Sequence, residues 1–214
     1  MELTWTLFEW LGTIAFAFSG TMVGIVRRMD IFGIVILAVA TAVGGGMTRD
    51  VLAGLTPPTA IKSPAGLLMA IATAMIVSLG YRRVRLPKRK KRLITFFYQL
   101  SDTIGLAAFT VTGCLMGLIL FPEEHLVLPV ALGLITAVGG GVIRDIMAQQ
   151  IPAVLRADIY AVASIAGAIA LCVAWEWMDQ VVASWIGFWV TAGLRLCAIY
   201  YGWQLYRPVR RSDT

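Results

Sequence analysis

Seven predominantly apolar stretches run along the chain, at about 4–26, 31–54, 64–81, 95–120, 127–150, 157–175 and 181–205. Each is close to or above the roughly 20 residues a helix needs to cross the hydrocarbon core of a bilayer. Lipid tolerates only helices or closed barrels, and these stretches lack the strict alternation of barrel strands. The expected fold is therefore an all-α integral membrane protein with seven transmembrane helices. Composition agrees: the 214 residues are 59% hydrophobic and only 14% charged, too few charges for the polar shell of a soluble domain.

A net charge of +6 would suit a nucleic-acid partner, but the basic residues sit in the loops between apolar stretches, where they read as topology. The loop 82–92 carries Arg82, Arg83, Arg85, Lys88, Arg89, Lys90, Lys91 and Arg92, and the positive-inside rule puts it in the cytoplasm. Arg27, Arg28, Arg156, Arg207, Arg210 and Arg211 then fall inside as well; Glu2, Glu123, Glu124, Glu176 and Asp179 fall outside, with Lys62 the one outside basic residue. The expectation is an N-terminus outside and a C-terminus in the cytoplasm, with membrane lipid rather than nucleic acid as the surrounding partner. The first stretch has no basic segment ahead of it and is expected to persist as a helix, not to be cleaved as a signal. Cys114, Cys172 and Cys197 lie in apolar spans without metal or disulfide spacing, and His125 sits in an acidic loop, so no metal or cofactor is expected.

The string AVGGGMTRDVLA at 42–53 recurs as AVGGGVIRDIMA at 137–148, 95 residues on. EWLGTIAFAFSGTMVG at 9–24 aligns with DTIGLAAFTVTGCLMG at 102–117, an offset of 93. Glu9 falls on Asp102, Gly12 on Gly105, Phe16 on Phe109, Ser19 on Thr112, Gly20 on Gly113 and Gly24 on Gly117. Three spans separate equivalent positions, so the second copy enters the membrane from the other side. One membrane domain is expected over 1–214: repeat 1 at 4–81, the basic cytoplasmic loop at 82–92, an inverted repeat 2 at 95–175, and an extra C-terminal helix at 181–205. In this plan, ion or substrate sites form where the repeats meet.

Three glycines in a row weaken a helix by roughly 1 kcal/mol each relative to Ala. The spacing predicts that Gly44, Gly45 and Gly46 kink the second helix, dividing it into 31–43 and 47–54, and that Gly139, Gly140 and Gly141 do the same in the fifth. The other reading of these glycines is close helix crossing, as Gly20 with Gly24 and Gly113 with Gly117 also suggest. Arg49, Asp50, Arg144 and Asp145 follow the glycines by about one turn. Ionisable groups so deep need partners or water, and they usually line a pathway. Because neighbours on a helix diverge by about 100°, pairing across the repeats is expected, Arg49 with Asp145 and Arg144 with Asp50. Purely structural ion pairs are the competing reading. With Glu9 and Asp102, four carboxylates stand against two arginines, a surplus that favours cations. Ser19, Thr41, Thr48, Thr112 and Thr136 are candidate hydroxyl ligands of the same path, though such groups often bond back to their own helix. Trp5, with other tryptophans near span ends, is read as an interfacial anchor.

The paired GGGxxRD strings, with E/D-x-x-G-x-x-x-F-x-x-S/T-G heading each repeat, resemble the prokaryotic trimeric intracellular cation (TRIC) channel family. The resemblance implies a homotrimer of seven-helix subunits in the inner (plasma) membrane of a bacterium or archaeon. Each subunit would hold its own pore along kinked helices, permeable to potassium and less selectively to sodium. The family's kink glycines map onto Gly44–Gly46 and Gly139–Gly141, and its charged positions onto Arg49, Asp50, Arg144 and Asp145. The first repeat departs from the second in carrying Glu9 where the second has Asp102. No carbonyl filter of the TVGYG type is present, so strong discrimination between potassium and sodium is not expected. The alternative is a secondary carrier for a small zwitterion such as glycine, since paired Arg and Asp suit a carboxylate and an ammonium. An enzyme is not expected: no span carries a histidine, an HExxH string or a nucleophile beside a base.

Overall fold

The computed structural model describes residues 2–83, 91–156 and 159–203. Most of the basic loop 82–92, Arg207, Arg210, Arg211 and positions 204–205 of the last apolar stretch lie outside the described residues. The described chain is helical: α1 (Glu2–Val26), α2 (Ile31–Leu52), α3 (Thr59–Lys62), α4 (Ala65–Arg83), α5 (Lys91–Leu120), α6 (Val127–Met147), α7 (Ala153–Arg156), α8 (Ala161–Trp175) and α9 (Gln180–Tyr201). Five helices, α1, α2, α5, α6 and α9, are long and apolar enough to cross a membrane. The third and sixth apolar stretches form shorter helices, and the short α3 and α7 were not foreseen.

Burial is inverted relative to a soluble protein. Ile76 and Trp189 are 71% and 63% exposed, whereas Arg144 is 0% and Asp50 1% exposed. An apolar exterior around buried charge is what lipid as solvent demands.

The expected division of the second and fifth spans does not occur. α2 and α6 run as unbroken helices through Gly44–Gly46 and Gly139–Gly141. The glycines serve the crossing of these two helices instead. A Cβ on Gly45 would land on the Thr136 carbonyl oxygen, and a Cβ on Gly140 on the Thr41 carbonyl oxygen, both far inside van der Waals contact. These reciprocal contacts run antiparallel, residue 41 against 140 and 45 against 136, and place the helix pair across a pseudo-two-fold axis. In lipid, where apolar burial contributes little to helix association, close backbone approach through small residues is the main attraction.

The same reciprocity continues outward. A Cβ on Gly12 would meet Phe109 Cε1 at 2.7 Å, and one on Gly105 would strike the Phe16 ring; the two rings stack edge-on with centroids 5.3 Å apart. Gly20 packs on Thr41 and Ala38 of α2, and Gly113 on Thr136 and Gly133 of α6; Gly24 packs on Ile34 and Gly117 on Pro129. α1 thus packs on α2 as α5 packs on α6, and α4 lies against α1 and α2 as α8 lies against α5 and α6. α9 has no counterpart and covers α8 and α5, its Phe188 joining Phe8, Val111, Leu115 and Leu171 in one apolar cluster.

α2 and α6 end alike. Leu55 N–H donates to Asp50 O (2.8 Å) and Gln150 N–H to Asp145 O (2.9 Å), closing the last turn over a left-handed residue, Gly54 at φ 76° and Gln149 at φ 53°. The chain then turns into α3 or α7, and this turn brings the functional groups together.

Candidate functional site

Each Arg–Asp pair is built on the end of its helix. Thr59 N–H donates to Asp50 Oδ2 and Ala153 N–H to Asp145 Oδ2, both at 2.7 Å. Each aspartate therefore takes up an orphan donor at the start of a short helix, which fixes the carboxylate with its other oxygen turned towards the arginine. Arg49 Nε and Nη2 donate to Asp50 Oδ1 at 3.0 and 2.8 Å, and Arg144 Nε donates to Asp145 Oδ1 at 2.8 Å.

The expected cross-repeat pairs, Arg49 with Asp145 and Arg144 with Asp50, do not form. The two RD pairs lie C-terminal to an antiparallel crossing, so each stands about 6 Å beyond it along its own axis and they point to opposite ends of the bundle. Sequence neighbours pair after all, because the arginine stem is long enough to fold round the helix to a carboxylate already held at its end.

Around these pairs the two ends differ. Arg144 also donates to Asp102 on α5 and to Ser19 on α1, and Ser19 Oγ donates to Asp102 Oδ1 at 3.3 Å. Its guanidinium lies 5.3 Å from the Tyr98 ring centroid, as that of Arg49 lies 5.6 Å from Trp5. Trp5 and Tyr98 are 93 residues apart, the α1–α5 offset, so the repeat itself marked them as equivalent, although Trp5 alone was read as a lipid-interface anchor. Gln150 Nε2 adds a bond to Asp145 Oδ1 at 2.9 Å. Glu9, the counterpart of Asp102, makes no such contact: its Oε2 has no hydrogen-bond partner among the described residues, while each arginine leaves one nitrogen without a partner among them, Arg49 Nη1 and Arg144 Nη2.

Of the candidate hydroxyls, Thr41, Thr48 and Thr136 bond back to the carbonyls of Leu37, Gly44 and Leu132, and Thr112 makes one weak 3.5 Å contact to Phe109 O. Ser19 alone among them joins the charged cluster.

Two cavities open from opposite ends of α1. The first, about 190 Å³, is lined by Trp5, Glu9, Thr13, Gly46, Arg49 and Asp50, among others. The second, about 230 Å³, is lined by Met22, Arg27, Tyr98, Asp145, Gln150 and Arg156, among others. Arg27 Nη2 donates to Gln150 Oε1 at 3.3 Å across its mouth. From Thr13 to Met22, about 14 Å of helix, the bundle is closed by Phe16, Phe109 and the glycine crossing.

Two equivalent bundles, each with a buried arginine and aspartate and a cavity facing the other across a closed neck, define a membrane protein of the inverted-repeat class, in which ion or substrate sites form where the repeats meet. A family model described as a glycine transporter matches twice, at residues 6–82 and 99–176. The inner membrane protein YadS of Escherichia coli strain K12, of the group called UPF0126, is 37% identical over 212 residues, 97% of this chain and 98% of its own. A solved structure of the TRIC trimeric intracellular cation channel orthologue from Rhodobacter sphaeroides superposes with a TM-score of 0.85 at 30% identity, covering 95% of this chain and 100% of that one. Another, from work on conductance through TRIC cation channels, gives 0.81 at 30% identity over 97% of this chain and 98% of that one. This chain belongs to that family, the prokaryotic TRIC and UPF0126 membrane proteins. The family are not enzymes, as the sequence led one to expect.

Proposed function

We propose that the chain forms a channel for monovalent cations, permeable to potassium and, less selectively, to sodium, with one pore in each subunit of a homotrimer. The observation that carries this reading is the pair of cavities, each with charged side chains in its lining, on either side of a short neck packed through glycine backbone. At the crossing the α2 and α6 backbones meet at Gly45 and Gly140, with the Ile143 side chain of α6 against Gly44, so small shifts of these helices change the width of the neck. Asp50 and Asp145 are spent on their arginines and short helices, which leaves Glu9 and the carboxylate surplus at Asp102 as the groups that favour a cation over an anion. The trimer and the cation specificity are carried over from the TRIC channels this chain resembles. Seven spanning helices in one domain, an N-terminus outside, a C-terminus in the cytoplasm, bending of α2 and α6 at their glycines during opening, and hydroxyl contributions from Ser19, Thr41, Thr48, Thr112 and Thr136 complete the proposal.

A carrier for glycine is the second reading, favoured by the description of the family model and by guanidinium and carboxylate groups beside each cavity. Purified protein in planar bilayers under a potassium gradient separates the two. Unitary currents reversing towards the potassium equilibrium potential are the expected result. Saturable glycine counterflow in proteoliposomes, without unitary current, would overturn the channel reading in favour of the carrier.

A further inference from the structure

Each repeat carries a cavity, but the first reaches Gly46 whereas the second, though no smaller, is not lined by Gly141. Gly46 and Gly141 are equivalents, 95 positions apart. A Cβ on Gly46 would see a single neighbour, Arg49 Nη2 at 3.6 Å; one on Gly141 would see the equivalent Arg144 Nη2 at 3.7 Å and, in addition, Tyr160 Oη at 3.3 Å. The short helices are offset by 94, Thr59 against Ala153, and so are the buried faces of α4 and α8, Ala70 against Ser164 and Ala74 against Ala168. The same register sets Tyr160 against Gly66. Gly66 lines the first cavity, and a Cβ there would meet open space.

We propose that Tyr160 is a plug: its ring fills, in the second repeat, the space that Gly66 leaves as the inner part of the first cavity, and so keeps Gly141 and the back of Arg144 from water. This rests on the channel reading for its consequence, a path shut beside Gly141, but not for its geometry. Three observations fit a space-filling role. Tyr160 is 1% exposed and packs in the central apolar cluster with Phe16 and Ala137. Its hydroxyl has no hydrogen-bond partner among the described residues, so no hydrogen bond explains its place there. The Arg195 guanidinium of α9, the helix without a repeat counterpart, lies 5.0 Å from its ring centroid and holds the ring from the far side.

The test is thiol accessibility in the full chain, reconstituted after Cys114, Cys172 and Cys197 are changed to Ala, with a small cationic methanethiosulfonate supplied to both faces and labelling read by intact mass. Gly46→Cys is expected to label about tenfold faster than Gly141→Cys, because thiol reactivity follows access. Adding Tyr160→Gly to Gly141→Cys should bring the two rates to within about threefold, whereas adding Tyr160→Phe, which keeps the ring, should leave Gly141→Cys slow. Equal labelling of the two sites with Tyr160 present, or no acceleration with Tyr160→Gly, would overturn the plug. If Gly141→Cys does not fold, bilayer recordings decide it: Tyr160→Gly alone should raise the open probability and Tyr160→Phe should not, and an unchanged Tyr160→Gly would overturn the plug. The two proposals fail separately. The expected labelling without any potassium current would sink the channel and keep the plug; currents with equal labelling would do the reverse.

Discussion

Replacing the middle glycine of the first triplet tests what the triplets are for. In a helix exposed to its surroundings, Gly→Ala should stabilise by about 1 kcal/mol through propensity. At Gly45 that gain is overridden, because the new methyl would land on the Thr136 carbonyl oxygen and stand 3.1 Å from Gly140 N, and neither is the tip of a flexible side chain. Overpacking of this kind costs up to about 3 kcal/mol, so the net loss is about 2 kcal/mol. For a chain of this size that lowers Tm by about 4–8 °C. Gly46→Ala is the internal control: its methyl would have only Arg49 Nη2 within reach, at 3.6 Å, an ordinary contact. It should melt at the native temperature or up to about 4 °C above it. Thermal melting of the purified protein in detergent, followed by loss of the monodisperse peak on size exclusion, measures both. If the triplets existed to break their helices, the two substitutions would act alike, and a Gly45→Ala variant at least as stable as the parent would refute the crossing argument.

The remaining expectations follow the hydrogen bonds. Double-mutant cycles should find Arg144 and Asp102 coupled by about 0.5–3 kcal/mol and Arg144 and Asp50 additive within about 0.5 kcal/mol; joint charge reversal at Arg49 and Asp145 should rescue neither single reversal. Asp50→Ala, which removes the one carboxylate hydrogen-bonded to buried Arg49 among the described residues, should destabilise by about 3–5 kcal/mol in chemical unfolding. Ser19→Ala should cost about 1.5–3 kcal/mol, as expected of bonds to charged groups, and Thr112→Val, at the equivalent position, should change the melting temperature little. Glu9→Gln should lower single-channel potassium conductance while leaving thermal stability near that of the parent; an unchanged conductance would remove Glu9 from the path.

Helix positions, the duplication and the glycine pairs of α1 and α5 were legible because each is written as a long or repeated pattern. The triplets were not, since weakening a helix and admitting a neighbour are both properties of the same missing methyl. Only the distance to Thr136 or Thr41 decides which of them the protein uses. The partners of Arg49 and Arg144 were misjudged from helix geometry alone, because a 100° divergence constrains Cβ positions and not the end of a long arginine side chain. What drew the aspartates into place was the start of α3 and α7, helices too short to leave a periodic trace. Tyr98 could have been found by carrying Trp5 forward 93 positions. Arg195 could not, because α9 is outside the repeat and offers nothing to compare with.

The departures from symmetry at the two ends all act in one direction. Arg144 has Asp145, Asp102, Ser19 and the Tyr98 ring around it, whereas Arg49 has Asp50 and the Trp5 ring, with Glu9 turned into a cavity without taking its Nη1. A guanidinium with two carboxylates and a hydroxyl in fixed positions can move only by breaking several charge-assisted bonds at once, which makes its end of the bundle the stiffer one. Arg49, with one carboxylate to leave, gives up less on moving. If the chain is the channel proposed above, an equal push at each end is expected to open the first before the second, which predicts that the limiting step lies at the cluster around Arg144. A variant that loosens that cluster without emptying it, Ser19→Ala, should therefore change how often the path opens more than Thr6→Ala or Thr13→Ala on the first cavity does, and bilayer recordings in which all three open equally often would contradict this order.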